Sequence, residues 1–318
     1  MKKIGILYGQ ENSFPPAFIE RVNSKTGGQG IMAESVRIDK VVQGESNGYD
    51  VVIDRISQDV PFYRAWLKNE AFCGAAVVNN PFWWSADEKF FNNALATKIG
   101  VGVPKTVLLP SHEPPPDTND NSFRNLAYPL DWEGMFAYVG WPAFFKPFAG
   151  GGWKNVYKLH SPEEFFRAYS ETGQLVMMLQ EEVQFDMYFR CYSIDQRHVR
   201  IMNYEPRNPY HLRYQADWQA PRELLEKIEH GVLTLNEYLG YDLNTVEFAI
   251  RDGVPMAIDF CNPAPDAEVT SVGQANFDWI VEAVSEMAIR KAREHVPGRD
   301  NLSWGKYVQT AVNRRALV

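Results

Sequence analysis

The stretch that organises this chain reads Thr245-Val-Glu-Phe-Ala-Ile-Arg-Asp-Gly-Val-Pro-Met-Ala-Ile-Asp-Phe-Cys-Asn262. Two apolar runs flank its central Asp-Gly pair, and this arrangement is typical of two antiparallel strands joined by a tight turn. Glu247 and Asp259 lie twelve positions apart. Because side chains alternate along strands, a three-residue turn would place both carboxylates on one face, whereas a two-residue turn would not.

The acidic side chains of this ribbon indicate a site for a hard cation. Carboxylates among apolar neighbours are costly unless a positive group lies close to them. Glu247, Asp259 and Asn262 offer a set of oxygen ligands that suits Mg²⁺, which usually shares its coordination shell with nucleotide phosphates. The alternative is that both carboxylates face solvent on an ordinary ribbon.

Length and composition favour an ordinary globular protein. The 318 residues are enough for two domains, and 45% of them are hydrophobic. No apolar run reaches the roughly 18 to 20 residues of a membrane span, and the first residues read as a strand rather than a signal peptide. The net charge of −8 disfavours nucleic acid and anionic lipid as partners, since both need a basic face. Three dispersed cysteines favour reduced thiols in the cytoplasm over disulfides or a zinc site.

Strand-like and helix-like segments alternate in the first hundred residues. Strands are expected at 3–8, 49–54 and 74–79, with a helix around 62–70 and a polar region from Pro15. This order predicts a parallel, Rossmann-like sheet. Ligands of such sheets bind beyond the carboxyl ends of the strands, so three segments are candidates for substrate contact, with ordinary turn chemistry as the alternative: Tyr8 to Asn12, Asp54-Arg55 and Asn79-Asn80. No G-x-G-x-x-G follows the first strand, which disfavours a dehydrogenase.

Two lysines lie among apolar residues in the next part of the chain. Ser85 and Glu88 form a capping-box pattern, which predicts a helix from Ser85 to Gly100 with Lys89 in its early turns. Lys146 lies on a strand that runs into three glycines. Glycine lets backbone amides approach phosphate oxygens, and a lysine nearby supplies positive charge. This is not a Walker loop.

Further elements are predicted along the rest of the chain. Residues 111–122 are proline-rich and polar, which predicts a loop. Ser161 and Pro162 begin a helix, strands follow at 175–183 and 185–194, and helices are expected at 221–239 and 277–296. Arg190 lies on one of these strands, where its charge would be buried. This is unfavourable unless the guanidinium meets an anion or reaches water. Cys191 is interpreted as a core residue.

Taken in order, these features resemble the ATP-grasp superfamily. They are Lys89, Lys146 before its glycines, the strand end Gln180-Glu-Glu-Val183, Arg190, and the set Glu247, Asp259 and Asn262. The resemblance spans Asp87 to Pro263, about two thirds of the chain. It implies a Rossmann-like domain at 1–110, a small ATP-grasp lobe with the hinge at 111–200, and a large lobe with the metal site at 201–318.

The resemblance also implies a role for each matching residue. Those around the nucleotide are Lys89 and Lys146 on its phosphates, Gly150, Gly151 and Gly152 closing over them, Gln180, Glu181 and Val183 at the adenine hinge, and Asp186 on the ribose. Glu247, Asp259 and Asn262 would bind Mg²⁺. Arg190 and Arg207 would hold the transferred phosphoryl group or an acyl phosphate, although Arg207 has Glu205 as an alternative partner.

One departure from the family pattern concerns the second metal strand. Family members usually read Glu-x-Asn there, whereas this chain reads Asp259-Phe-Cys-Asn262. A bulge at Phe260 or Cys261 would restore the aim of Asn262.

The function that the resemblance implies is an ATP-dependent carboxylate-amine ligase acting on small metabolites or amino acids. Two alternatives share the same ATP site: a phosphotransferase acting on a hydroxyl, and an ATP-binding protein without turnover. The acceptor pocket would lie between the N-terminal domain and the loop from Asn262 to Gln274, where Pro265, Asp266 and Glu268 hint at an amine. The oligomeric state stays open, with a homodimer as one alternative.

Overall fold

Three β-sheets organise the computed structural model, which describes residues 1–82, 88–150, 153–215, 218–297, 299, 305–306 and 309–310. A parallel four-stranded sheet comes first, followed along the chain by an antiparallel four-stranded sheet and an antiparallel five-stranded sheet. This mixture confirms the predicted fold class, a Rossmann-like unit followed by α+β lobes. No helix in the described part of the chain is both long and apolar enough to cross a bilayer.

The parallel sheet has the strand order β2-β1-β3-β4. Its strands are β1 (Lys2–Leu7), β2 (Ile31–Ser35), β3 (Val51–Asp54) and β4 (Ala76–Val78). The helices of this part are α1 (Phe14–Thr26), α2 (Pro61–Phe72) and α3 (Lys89–Ile99). The region expected to be merely polar from Pro15 is helix α1. Phe14, Phe18 and Val22 recur every four residues and are fully buried, and prolines in a first helical turn cost no intrahelical hydrogen bond.

The antiparallel four-stranded sheet has the order β5-β8-β6-β7. Its elements are β5 (Thr106–Leu109), α4 (Trp132–Val139), β6 (Ala143–Pro147), β7 (Tyr157–Leu159), α5 (Pro162–Ser170) and β8 (Met177–Glu181). One face packs on α4 and α5 through a core that includes Phe145, Phe165 and Met177. Because side chains alternate along strands, Lys146 and Met178 project from the opposite face.

The five-stranded sheet has the order β11-β10-β9-β12-β13. Its strands are β9 (Met187–Ile194), β10 (His198–Tyr204), β11 (Tyr214–Gln215), β12 (Leu243–Arg251) and β13 (Val254–Asp259), and its helices are α6 (Arg222–Leu239), α7 (Val269–Val272) and α8 (Gln274–Glu294). Helix α6 covers one face of the sheet. Helix α8 lies in a core shared with the parallel sheet, which includes Ile6, Tyr192 and Val284. Cys191 is fully buried, which confirms its interpretation as a core residue.

The chain passes from one sheet to the next before each predicted domain border, not at it. Strand β5 precedes residue 110 and pairs with β8, while β9 precedes residue 200 and pairs with β10 and β12. The changes of sheet fall between residues 78 and 106 and between residues 181 and 187. The domain borders at residues 110 and 200 stay predictions.

Helix α3 begins later than the capping-box pattern predicted. Its first residue is Lys89, and Glu88, expected inside the helix, has a non-helical backbone with φ −126° and ψ 62°. The Lys89 N–H, which has no partner within a helical turn, donates to the Phe148 carbonyl at 2.9 Å. The predicted cap Ser85 lies outside the described residues. Gly100 ends the helix in a left-handed conformation, as expected.

Candidate functional site

Three charged residues form a row across the five-stranded sheet. Arg190 on β9 lies directly opposite Glu247 on β12, and Glu247 lies opposite Asp259 on β13. Directly opposite residues of antiparallel strands project from the same face. Both carboxylates therefore share one face with the guanidinium beside them.

The turn between β12 and β13 has two residues, not the three that the sequence argument required. Asp252 and Gly253 both have positive φ, 53° and 72°. A type I′ turn, which is common in two-residue hairpin loops, requires positive φ at both central residues. With such a turn and a regular ladder, Asp259 would lie off the face of Glu247.

A β-bulge restores the shared face. The ladder shifts by one residue between the Phe248 pair and the Glu247 pair, so that Ile258 is the extra residue of β13. The ladder ends at Asp259, so the bulge expected at Phe260 or Cys261 does not form. The bulge at Ile258 aligns Asp259 with Glu247 and does not absorb the extra residue between Asp259 and Asn262.

Asn262 hydrogen-bonds to β12 after the strand β13 has ended. Its backbone N–H donates to Asn244 Oδ1 at 2.8 Å, and its Nδ2 donates to Thr245 Oγ1 at 3.1 Å. Thr245 lies two positions before Glu247, so their side chains share a face. Asn262 is thereby brought to the side of the sheet that carries the two carboxylates.

Glu247 accepts a hydrogen bond from a tyrosine and pairs with an arginine in a largely buried setting. Tyr188 Oη donates to its Oε2 at 2.6 Å, and Arg190 Nε lies 3.7 Å from its Oε1. Burial raises the pKa of Glu247 and the charge of Asp259 adds to this, while Arg190 lowers it; the net pKa is raised. A bound cation would remove this penalty.

Arg190 is held by tyrosines, and its Nε lacks a hydrogen-bond acceptor among the described residues. Its guanidinium lies over the Tyr204 ring at 5.6 Å, and its Nη1 donates to Tyr214 Oη at 3.3 Å. Within the described residues, the buried Nε donates no hydrogen bond. Burial lowers the pKa of Arg190, but Tyr214 and Glu247 raise it further, so the group stays charged. A buried, charged donor of this kind is suited to an anion.

Two lysines and a carboxylate line one cleft between the two antiparallel sheets. Lys89, Lys146, Asp259 and Cys261 all contribute to its wall. Lys89 is placed there by the bond of its backbone to the loop after β6, and Lys146 by its position on β6 itself. The cleft therefore joins the predicted phosphate lysines to Asp259, one of the predicted metal ligands.

Burial in this cleft destabilises the charged form of Lys146. Burial lowers its pKa to about 8, with Lys89 lowering it as well, while Asp259 and Glu247 raise it. Its side chain makes no hydrogen bond or ion pair with the described residues. An anion bound beside it would relieve this cost.

The glycine run after β6 is described only at its start. Gly150 is exposed with φ 86°, a conformation that residues with a Cβ rarely adopt. Gly151 and Gly152 lie outside the described residues.

The predicted adenine hinge comprises the last two residues of β8, Gln180 and Glu181, and Val183 just after it. The Glu181 N–H donates to the Lys105 carbonyl at 2.9 Å, so this amide is used inside the protein, and the Glu181 carboxylate pairs with Arg251 of the hairpin. Gln180 is buried and its Nε2 donates to Thr106 at 2.9 Å. The Val183 N–H donates to no backbone carbonyl of the described residues, and its contact with adenine stays a prediction.

Asp186 and Arg207 are both exposed to solvent. Asp186 is exposed, and its N–H donates to the Ile250 carbonyl at 3.1 Å. The Arg207 side chain is 67% exposed, holds the Glu205 carboxylate through two nitrogens and lies over the Phe185 ring at 4.5 Å. Its catalytic role stays a prediction, with the pairing to Glu205 as its observed contact.

The predicted acceptor region brings the N-terminal unit against the loop after Asn262. Glu268 accepts from the Asn12 and Ser13 N–H groups at 2.7 and 3.0 Å. Arg55, whose side chain is 2% exposed, pairs with Glu11 and also donates to the Pro265 carbonyl. These contacts tie the two segments together.

Several candidates of that region have structural partners. Asp54 accepts from the Ser57 hydroxyl and N–H, and Asp266 accepts from Ser271. Asn79 donates to the Leu243 carbonyl at 2.7 Å and accepts its N–H at 2.9 Å. The Asp54 contacts are the turn chemistry of the alternative interpretation, whereas Asn79 tethers a distant strand and Arg55 is buried rather than in a surface ion pair.

The site contains tyrosines that the sequence argument missed. Tyr188 and Tyr214 contact Glu247 and Arg190, respectively. Alternation along the strand predicted at 185–194 was the signal that places Tyr188 on the face of Arg190. The partner of its hydroxyl depends on the pairing of β9 with β12.

The residues present fit a cation that is held together with a nucleotide. Within the described part of the chain, no group of three or more His, Cys, Asp and Glu side chains is arranged to hold a metal by itself. Mg²⁺ bound with a nucleotide needs only one or two protein carboxylates, because phosphates and waters complete its shell. Glu247, Asp259 and Asn262 meet this requirement, and the Nε of Arg190, which donates no hydrogen bond to the described residues, suits an anion next to it.

Solved structures of several ligases share this fold. The D-alanine–D-alanine ligase of Bacillus anthracis, complexed with ATP, matches with a TM-score of 0.61 at 13% identity, covering 93% of this chain and 99% of that chain. A RimK domain ATP-grasp protein from Sphaerobacter thermophilus gives 0.63 at 12% identity, covering 90% and 99%. The ATP-grasp ligase PsnB, complexed with a minimal precursor, gives 0.63 at 17% identity, covering 91% and 99%. No protein-family model and no curated protein matches the chain.

The chain therefore has the ATP-grasp fold. The resemblance seen in the order of lysines, glycines, arginine and carboxylates is confirmed at the level of the fold over nearly the whole chain, beyond the two thirds that carried the motifs.

Proposed function

We propose that this protein is an ATP- and Mg²⁺-dependent ligase that joins a small-molecule carboxylate to an amine and releases ADP and phosphate. The observation that carries the proposal is the convergence of Lys89, Lys146 and Asp259 on one cleft, with Glu247 and Arg190 in the same row as Asp259. Structures of the same fold are complexed with ATP, or with Mg and ADP. These support the nucleotide and the metal for this chain.

The two lysines and the acidic row divide the work on the nucleotide. Lys89 and Lys146 neutralise phosphate oxygens, and the Val183 N–H would donate to the adenine. Glu247, Asp259 and Asn262 would hold Mg²⁺, which supplies charge neutralisation at the phosphates when bound. Exclusion of water by the apolar floor of Tyr188 and its neighbours strengthens each of these interactions.

The reaction has two steps. A carboxylate oxygen of the acid substrate bonds to the γ-phosphorus in line, while the bond between that phosphorus and the ADP oxygen breaks, which gives an acyl phosphate. The amine nitrogen then bonds to the carbonyl carbon, the carbon–oxygen bond to phosphate breaks, and the amine loses a proton. The Arg190 guanidinium would stabilise the oxygens that gain charge; removal of a comparable donor costs about 2.7 to 4 kcal/mol.

An ADP-release screen with pooled amino acids and small carboxylates tests this function. We expect ADP only when an acid and an amine are both supplied, and a product whose mass equals their sum minus water. Glu247→Gln should abolish the signal. Glu226→Gln, which changes an exposed carboxylate of α6 in the same way, should keep it.

Other outcomes of the screen contradict the proposal. ADP release with an alcohol in place of the acid and amine indicates phosphotransfer. Binding of ATP with Mg²⁺ but no ADP with any pool indicates a binding protein without turnover.

A further inference from the structure

One tyrosine holds the central carboxylate of the acidic row. Tyr188 Oη donates to Glu247 Oε2 at 2.6 Å, and Tyr188 is 7% exposed. Tyr188 lies opposite Ala249 on β12, two pairs along the ladder from Arg190 and Glu247 and therefore on the same face. The hydroxyl therefore reaches Glu247 diagonally across two neighbouring strands.

The ring of Tyr188 is fixed by its packing. It contacts the Phe185 ring at 5.0 Å and the Tyr204 ring at 6.1 Å between centroids, within a small core that also includes Val183. A packed ring presents its hydroxyl in one place. The hydrogen bond to Glu247 is thus built into the fold.

This contact divides the two oxygens of Glu247 between different neighbours. Oε2 accepts from Tyr188, while Oε1 lies on the side of Arg190, at 3.7 Å from its Nε. A carboxylate held at one oxygen cannot rotate freely, and residues that hold metal ligands in this way commonly tune metal affinity.

We propose that Tyr188 is a positioning residue, which fixes the Glu247 carboxylate in the orientation that ligates the nucleotide-bound cation. This inference rests on the proposed function, because it needs a cation at Glu247. Tyr188 itself touches neither the nucleotide nor the reacting atoms in this role.

The test is cation binding, measured by calorimetry with Mg²⁺ or Mn²⁺ and a non-hydrolysable ATP analogue. Tyr188→Phe removes the hydroxyl and keeps the ring. We expect the apparent dissociation constant of the cation to rise by about 10-fold to 100-fold. Binding of the analogue without cation should stay as in the wild type, a difference that general damage to the site would not produce.

A matched control removes the same group elsewhere. Tyr169 is a buried tyrosine of α5, and its hydroxyl donates to the Pro110 carbonyl at 2.8 Å. Tyr169→Phe loses one buried hydroxyl bond, as Tyr188→Phe does, and should leave the cation constant unchanged. In a cycle with Glu247→Gln, the double variant should bind the cation no more weakly than Glu247→Gln alone, because Tyr188 acts through Glu247.

A further variant covers the case in which Tyr188→Phe does not fold. Replacing Tyr188 by 4-aminophenylalanine restores a donor at the same ring position and should bind the cation almost as the wild type does. Weak cation binding by that folded variant overturns the inference.

Two other results overturn it as well. If Tyr188→Phe is folded and binds the cation as the wild type does, the positioning role is wrong and the proposed function stands. If the wild type takes up no cation with the nucleotide, the proposed function and this inference both fall.

Discussion

Glu247 and Asp259 lie directly opposite each other on β12 and β13, although the turn between these strands has only two residues. The extra residue Ile258 shifts the ladder and turns Asp259 onto the face of Glu247. Burial and the neighbouring charge of Asp259 raise the pKa of Glu247. A bulge that brings two carboxylates together at this cost is understandable if a cation separates them.

The turn that closes this hairpin gives a first prediction. Gly253 has φ 72°, and a Cβ added there would meet no atom within 4 Å, so backbone strain is the only cost of a side chain. We expect Gly253→Ala to lower the free energy of unfolding by about 1 kcal/mol. Denaturant titration measures this. Gly27→Ala, at φ −46°, should change stability far less, and equal effects of the two substitutions would contradict the argument.

The second prediction concerns the charge at Lys146. Its ammonium is desolvated in the free protein, so Lys146→Met should leave the free energy of unfolding at neutral pH equal or higher. Loss of a charge-assisted contact to phosphate should weaken ATP binding by about 10-fold to 100-fold, which corresponds to about 1.5 to 3 kcal/mol. Calorimetry with ATP and a denaturant titration test the two parts.

Lys158→Met is the control for Lys146→Met. Lys158 lies on β7 of the same sheet and its side chain is 45% exposed in an ion pair with Glu182. A surface pair contributes about 0 to 1 kcal/mol, so this substitution should affect neither ATP binding nor stability strongly. Equal loss of ATP binding in both variants would show that Lys146 has no special role.

The pH dependence of Lys146 gives a third prediction. Its pKa is lowered from 10.5 to about 8, so the free protein loses this charge as pH rises through about 8. A bound phosphate favours the ammonium, so ATP binding should take up a proton near pH 8 to 9 and weaken at higher pH. Calorimetry in buffers of different ionisation enthalpy measures the uptake. The same uptake in Lys146→Met would contradict the assignment.

The same shift predicts a trend in stability without ATP. Between pH 8 and 10.5 the unfolded chain binds more protons at Lys146 than the folded chain, so the free energy of unfolding gains from this group as pH rises. Denaturant titrations across this range, compared with Lys146→Met, isolate the contribution. A wild type and variant with the same slope would refute it.

The fourth prediction concerns the buried ion pair of the N-terminal unit. Arg55 is almost fully buried against Glu11, so Arg55→Met leaves the partly buried Glu11 carboxylate without its partner. We expect the free energy of unfolding to fall by about 3 to 5 kcal/mol, and the double variant Arg55→Met/Glu11→Gln to recover part of it. Arg222→Met is the control, because the Arg222 side chain is 91% exposed in its ion pair with Glu226. This substitution should lower the free energy of unfolding by less than about 1 kcal/mol.

The sequence by itself determined the local elements and the kinds of residue that they carry. Apolar runs located strands β8, β9 and β12, the spacing of apolar residues located α6, and Gly100 marked the end of α3. These signals are local because they come from backbone preference and from the burial of one face of an element. The order of Lys89, Lys146, Arg190 and the carboxylates along the chain was enough to suggest the fold.

Only the tertiary structure decided which side chains meet. The register of β12 and β13 depends on a single bulge, and a shift of one residue turns Asp259 to the other face. The bonds of Tyr188 to Glu247 and of Asn79 to Leu243 join segments 59 and 164 residues apart. Such contacts follow from how the packed sheets align, and the free energy of that packing is a property of the whole chain, which no local pattern contains.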